Sequence, residues 1–172
     1  MRQILLNLAV SLDGYIEGPK GEFDWCFTDQ DYGMTEFLER TDSLLMGRNS
    51  YELLMQTSPD VFSEHVWYVC SNTLAEVRPG AQLLSGNIEA AVRQLRQAPG
   101  RGIWLFGGAR LTASLLDAGL VDELILSIHP ILLGGGMRLF PDRAGRIQLD
   151  LLGHAEYHTG LVQLRYGVRQ AE

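Results

Sequence analysis

The sequence predicts an α/β domain built on a largely parallel sheet. Three observations lead there: short, nearly continuous apolar runs recur along the chain, segments of helical period lie between them, and glycines or small polar residues follow the ends of the runs. The first run, Ile4-Leu5-Leu6-Asn7-Leu8-Ala9-Val10, reads as a strand buried on both faces, interrupted only by Asn7. Phe37, Leu38 and Thr41 can share one face of a helix over about 31–41. Ser43-Leu44-Leu45-Met46 follows as a second buried strand, then a helix over about 48–57 carrying Tyr51, Leu54 and Met55. Val66 to Cys70 is a third strand. Ile88, Val92 and Leu95 recur at i, i+4 and i+7, with Asn87 placed to cap that helix. Ile103-Trp104-Leu105-Phe106 is the fourth strand, followed by Leu111, Leu115 and Leu116 on a helix that stops at Gly119. In the tail, the β-rich run from Glu123 to Leu133 is broken at His129-Pro130, and Leu161 to Val168 alternates in strand fashion. With no helix between them, these two are expected to form an antiparallel pair closing the sheet edge. The loop joining them would hold Gly134-Gly135-Gly136 and the Phe140 region. Pro79-Gly80 and Pro99-Gly100 are turns rather than boundaries, so residues 1–172 are read as one domain.

Composition narrows the function. Of 172 residues, 46% are hydrophobic and 20% charged, which excludes a disordered chain. No run reaches the roughly 18 apolar residues of a membrane span, and Met1 to Val10 is followed by no small-residue cleavage site. A cytoplasmic protein is expected. The net charge of −7 and the absence of a basic face argue against nucleic acid as partner. All basic residues but Lys20 are arginine, which suits phosphate recognition or reflects only a codon bias. Cys26 and Cys70 lack metal spacing and read as free thiols. No metal site is expected: His154 and His158 have i, i+4 spacing, but in a stretch of strand character between Gly153 and Gly160.

Chemistry is expected at the strand ends. Gly107 and Gly108 lie between a buried strand and a helix, where glycines let backbone N–H groups approach an anion, or simply turn the chain. Gly47-Arg48-Asn49-Ser50 repeats the arrangement: Arg48 can fork onto phosphate, and Asn49 or Ser50 can cap the helix. Ser71-Asn72-Thr73 are small polar residues directly after a strand. Ligands of open α/β sheets bind outside the carboxyl ends of strands, where all three clusters fall. Asp13-Gly14 ends the first strand in a turn that Asp13 can merely shape.

Taken in order, Ser11-Leu12-Asp13-Gly14-Tyr15-Ile16, Gly47-Arg48, Tyr51-Glu52, Gly107-Gly108, Gly119 to Leu124 and Pro130 to Gly134 resemble the dihydrofolate reductase-like superfamily. The resemblance is to its branch related to the C-terminal reductase domain of the riboflavin-biosynthesis deaminase/reductase. It implies a three-layer fold with a mainly parallel central sheet, an antiparallel C-terminal strand and flanking helices. It also implies NADPH as cofactor and a small heterocyclic, pyrimidine- or pterin-like substrate, as in 5-amino-6-(5-phosphoribosylamino)uracil reductase. By the same resemblance Gly47, Arg48 and Ser50 hold the cofactor's phosphates, and Ser71 and Asn72 lie beside the adenosine ribose. Gly107, Gly108, Ala109 and Arg110 form the pyrophosphate turn, with a cis peptide between the two glycines. Ala9 and Asp13 flank the nicotinamide and substrate. Asp13 or Asp31 is the candidate catalytic acid, on condition that burial raises its pKa toward neutrality. Asp29 competes with Asp31 for the position after Trp25, and acids there also serve a helix dipole. Tyr15, Trp25 and Phe27 either wall the substrate or belong to the core.

Two departures from the family pattern bear on substrate. The zinc deaminase signature is absent. The lysine that often precedes Ser-Leu-Asp-Gly in riboflavin reductases is missing, and Asn7 and Ala9 stand there instead. The alternative function is a dinucleotide-binding protein that keeps the fold without catalysis. An apolar edge strand in the tail is expected to pair two copies into a homodimer.

Overall fold

The computed structural model describes residues 1–143 and 145–169. Along the chain run β1 (Ile4–Ser11), β2 (Tyr15–Glu17), α1 (Met34–Glu39), β3 (Thr41–Gly47), α2 (Arg48–Thr57), β4 (Val66–Cys70) and β5 (Gln82–Leu84). They are followed by α3 (Ile88–Gln97), β6 (Gly102–Gly107), α4 (Ala109–Asp117), β7 (Glu123–His129), β8 (Met137–Arg138), β9 (Leu149–Glu156) and β10 (Val162–Val168). Eight strands form one sheet in the order β5-β4-β3-β6-β1-β7-β10-β9, and β2 and β8 pair as a small ribbon beside it. The strands from β5 to β7 run parallel. β10 is antiparallel to β7, and β9 is antiparallel to β10. This is the fold the sequence implies, with one more strand at its edge.

Both faces of the central strands are buried, which is why they read as unbroken apolar runs. Ile4, Leu6, Leu45, Ile103 and Leu105 face the layer of α3 and α4, meeting Val92, Leu95, Leu115 and Leu116. Leu5, Leu44, Met46 and Trp104 face the opposite layer, with Phe37 of α1 and Tyr51 and Leu54 of α2. Each such burial contributes about 1.5–3 kcal/mol. The lower end of the sheet is tied by charge: Arg96 donates to both carboxylate oxygens of Asp122 (2.8 and 2.9 Å), and Asp122 accepts the Ile4 N–H at 2.7 Å.

Three expectations shift in detail. The first helix spans Met34–Glu39 rather than 31–41, because Gly33, at φ +77°, is its N-cap and Thr41 already begins β3. The long run from Glu123 ends as strand at His129, immediately before Pro130. The edge is closed by β9, so the pair β7–β10 lies one strand further in. No helix among the described residues is long and apolar enough to cross a membrane.

Candidate functional site

The sheet order reverses at β1, which has β6 on one side and β7 on the other. Crevices open at the carboxyl ends of strands at such a point. Beside that point, at the carboxyl ends of β3, β4 and β6, a cleft of about 570 Å³ is lined by Gly47 to Ser50, Cys70 to Asn72 and Gly108 to Leu111, with Ile16, Glu17 and Met137 of the ribbon on its flank. The three strand ends singled out in the sequence therefore share one cavity.

Its electrostatics come from two helix starts. The N-caps of α2 and α4 are Gly47 and Gly108, neither makes a side-chain cap bond, and neither first turn carries an acid. α3, whose first residue Ile88 also lines the cleft, is capped in the ordinary way: Asn87 accepts the Ala90 N–H at 3.0 Å, and Glu89 sits in the first turn. α2 and α4 thus present unsatisfied N–H groups and the positive ends of their dipoles to the cleft. The expected capping by Asn49 or Ser50 does not occur, since both already lie inside the first turn of α2.

Arg48 lies across this mouth. Its Nε–H donates to Glu52 at 2.7 Å and its Nη1–H to the Thr73 hydroxyl at 2.9 Å, so it spans from α2 to the loop after β4. Ser71 and Asn72 line the cleft but spend their side chains locally. Ser71 Oγ accepts the N–H groups of Thr73 and Leu74, and Asn72 Oδ1 accepts the Gly86 N–H at 2.6 Å. Gly107 and Gly108 have φ of +139° and +95°. There is no cis peptide among the described residues, so the expected cis bond between these glycines is corrected to trans. Ala109 and Arg110 are in the lining; Ala9 is not, being paired with Ser127 inside the sheet. Cys70 also lines the cleft, and burial pushes its thiol up to about 12, so it is a packing group rather than a nucleophile.

The two aspartates do not meet the condition set for a proton donor. Asp13 accepts the Ser11 hydroxyl at 2.7 Å and the N–H groups of Leu133 and Gly134 at 3.1 and 2.8 Å. Those bonds, the Ser11 one foremost, hold its carboxyl below the usual range. Asp31 accepts the Thr35 hydroxyl at 2.6 Å and the Thr35 N–H at 3.0 Å, and is lowered likewise. Asp13 ties the loop after β7 to the end of β1; Asp31 ties the segment before α1 to Thr35 in its first turn. Asp29 accepts the Tyr32 hydroxyl.

A second cavity, about 240 Å³, lies beneath α1 on the other side of β1 from the α3–α4 layer. Asn7, Phe37, Arg40, Ile125, Gln163 and Arg165 line it, together with Gly33, Glu36, Tyr157 and residues 153–155 of β9. Behind it, buried Glu123 binds Arg40 through both oxygens (2.6 and 3.2 Å) and Arg165 at 2.9 Å. Burial pushes the Glu123 carboxyl up, but the two guanidinium groups outweigh it and hold it below its ordinary value. Of these residues, the sequence signalled Asn7 as a polar residue inside an apolar run, Phe37 as part of a helical face, and His154 only in a histidine pair read as no metal site.

Trp25 and Phe27 line neither cavity. Their rings wrap His129 at 5.3 and 4.9 Å between centroids. The Phe27 N–H donates to His129 Nε2 at 3.0 Å, which leaves the ring proton on Nδ1 to reach the Ser127 carbonyl at 2.9 Å. Burial pushes the pKa of this histidine down, consistent with a neutral ring latching the segment before α1. Tyr15 sits under the Arg138 guanidinium, 5.3 Å from its centroid.

The RibD C-terminal domain family matches residues 2–163 of the chain. The uncharacterized protein YyaP of Bacillus subtilis is 43% identical over 178 residues, covering 96% of this chain and 94% of that protein. A Shewanella sp. PV-4 protein named for riboflavin biosynthesis has a structure that superposes with a TM-score of 0.86 at 28% identity, over 99% of this chain and all of that one. Dihydrofolate reductase from Enterococcus faecalis, solved with NADP(H), gives a TM-score of 0.73 at 15% identity over 98% and 97% of the two chains, a likeness of fold alone.

Proposed function

The chain belongs to the RibD C-terminal domain family, a family of RibD-like reductases, and from that membership and its cleft we propose an NADPH-dependent reductase of a small pyrimidine- or pterin-like heterocycle. One observation supports this most: two uncapped helix starts and the loop after β4 converge on a single cleft. A dinucleotide needs such a place, with main-chain N–H groups for its phosphates and no side chain in the way. The residues fit, because a Cβ built on Gly47 would meet nothing within 4 Å, which leaves the cleft open above the α2 start.

In this reading the first-turn N–H groups of α2 and α4 hold the pyrophosphate, assisted by the Ser50 hydroxyl and Arg110. Ser71 and Asn72 shape the adenosine end. Bound there, NADPH supplies a hydride to an electrophilic C=N or C=O of the acceptor. The chain's own part is to hold the acceptor in line and to keep bulk water from the reacting face. Asp13 and Asp31 both spend their oxygens on hydrogen bonds within the fold, so in this reading the proton that completes the reduction comes from solvent, and Asp13 acts by fixing the loop after β7. The protein works in the cytoplasm.

Arg48 decides between the two nicotinamide coenzymes, because a 2′-phosphate can share its guanidinium with Thr73 and Glu52. Fluorescence titration should show NADPH bound more tightly than NADH. Arg48→Ala should reduce that preference about 10- to 100-fold, the worth of one charged hydrogen-bonding partner. An unchanged preference would remove Arg48 from the phosphate site. Binding without oxidation of NADPH, over a panel of pyrimidine and pterin acceptors, would leave only a dinucleotide-binding protein.

The outer strand β9 supports a homodimer as part of the same reading. Among the described residues nothing pairs with its outer side, and it exposes Leu149, Leu151 and Leu152. Apolar edges of this kind recruit a second strand. Sedimentation velocity should find dimers at micromolar concentration, and monomer alone would remove the proposal.

A further inference from the structure

We infer that His129 is a pH-operated latch: its neutral ring holds residues 18–28 against the carboxyl end of β7, and protonation of the ring sets that segment free. The latch depends on no bound coenzyme.

Residues 18–28 bond mostly among themselves. The Gly18 N–H meets the Glu22 carbonyl and the Gly21 N–H that of Gly18, both at 2.9 Å, and the Cys26 N–H meets the Phe23 carbonyl at 3.1 Å. The Trp25 indole also stays inside the segment, donating to the Glu22 carbonyl at 3.3 Å. Among the described residues, one hydrogen bond joins the segment to the rest of the molecule, from the Phe27 N–H to His129 Nε2, and no ion pair does. His129 is 2% exposed and ends β7, in register with Ser11 at the end of β1. The segment departs from Glu17, in the wall of the cleft, and leads to Gly33, in the wall of the cavity beneath α1. Tyr32 at φ +51° and Gly33 at +77°, successive left-handed residues, mark its joint with α1. Its release therefore loosens the rim shared by both cavities.

The ring's protons make this hold pH-sensitive. With Nδ1–H on the Ser127 carbonyl, Nε2 is the only acceptor, and a proton there would face the Phe27 N–H donor to donor. Burial lowers the pKa of the ring, and the Ser127 carbonyl opposes this only in part. The Trp25 and Phe27 rings attract a cation too weakly to offset both a lost hydrogen bond and lost water. Nor does a carboxylate pair with the ring. Asp13, at the end of β1, is bound to Ser11, Leu133 and Gly134. On the segment itself Glu22 accepts the Lys20 N–H and Asp24 acts on Cys26, while Asp29 and Asp31 beyond it serve Tyr32 and Thr35. Cys26, pushed up to about 11, and Tyr157, raised by burial, stay neutral and add no counter-charge. The released ring takes its proton near the free imidazole value of about 6.5, and the latched ring only below that. Falling pH thus favours release from about 6.5 downward, levelling off below the latched value.

Hydrogen exchange by mass spectrometry, corrected for the intrinsic pH dependence, tests this with β6 as internal standard. From about pH 7.5 to about pH 5, the opening constant of residues 18–28 should rise about 10- to 30-fold while β6 stays protected. The His129 imidazole, followed by NMR, should titrate below about 6.5. His129→Gln keeps an acceptor near the Nε2 position without a titrating group, so its segment should stay closed at both pH values. Unchanged protection in the wild type would overturn the proposal, as would titration at or above the free value. So would a glutamine variant that still opens in acid, or an equal loss of protection in β6, which would be global unfolding. If the glutamine variant fails to fold, the wild-type exchange series and the NMR titration decide.

Discussion

Gly108→Ala should weaken NADPH binding about 100-fold in a protein that still folds. The added methyl has room: the nearest atoms to it are the Gly47 nitrogen, the Ser50 hydroxyl and Leu111 Cβ, each at 3.9 Å. That room lies between the α2 and α4 helix starts, where the proposed pyrophosphate rests. Two charge-assisted hydrogen bonds at the low end of about 1.5 kcal/mol each already account for a 100-fold loss. The backbone at φ +95° and ψ 111° adds strain of about 1–3 kcal/mol, which urea denaturation would register separately. Wild-type affinity in this variant would move the phosphates elsewhere and leave the cleft without its assigned occupant.

The second large effect concerns stability. Gly136→Ala is expected to cost more than about 3 kcal/mol, enough to leave little folded protein at physiological temperature. Gly136 has φ +122°, and a Cβ there would overlap the Glu17 carbonyl oxygen and stand 2.8 Å from the Gly18 carbonyl carbon. These neighbours are backbone and cannot rotate away. Gly134, two residues earlier, is the internal control: at φ +72° its Cβ would meet nothing within 4 Å, so alanine there carries only the left-handed penalty of about 1–2 kcal/mol. A shared urea midpoint for the two variants would show that β2 and β8 do not pack as described. The ribbon matters to function because Ile16, Glu17 and Met137 wall the cleft.

What the sequence made legible follows from burial. β1, β3, β4 and β6 are apolar on both faces and stand out at once. β9 escaped because it is an edge strand with Leu149, Leu151 and Leu152 exposed, so its pattern neither alternates nor runs apolar. β2, β5 and β8 are two or three residues long and carry no period. The cleft was readable because its lining sits at strand ends, where glycines and small polar residues mark the chain. The cavity under α1 was not, since its walls come from five separated segments: position 7, residues 33–40, Ile125, 153–157 and 163–165. Asp13 and Asp31 show the remaining limit: sequence identifies a carboxyl group, but its role is set by the hydroxyls and N–H groups it meets in the fold.

The cleft's grip is built mainly from main-chain atoms at two helix starts, whereas the chamber under α1 is defined by side chains. Point substitutions can therefore retool the chamber freely, while they erode the cleft at only a few glycines. If the cleft holds NADPH as proposed, homologues descended from one ancestor can drift toward different small molecules and still draw on the same source of reducing power.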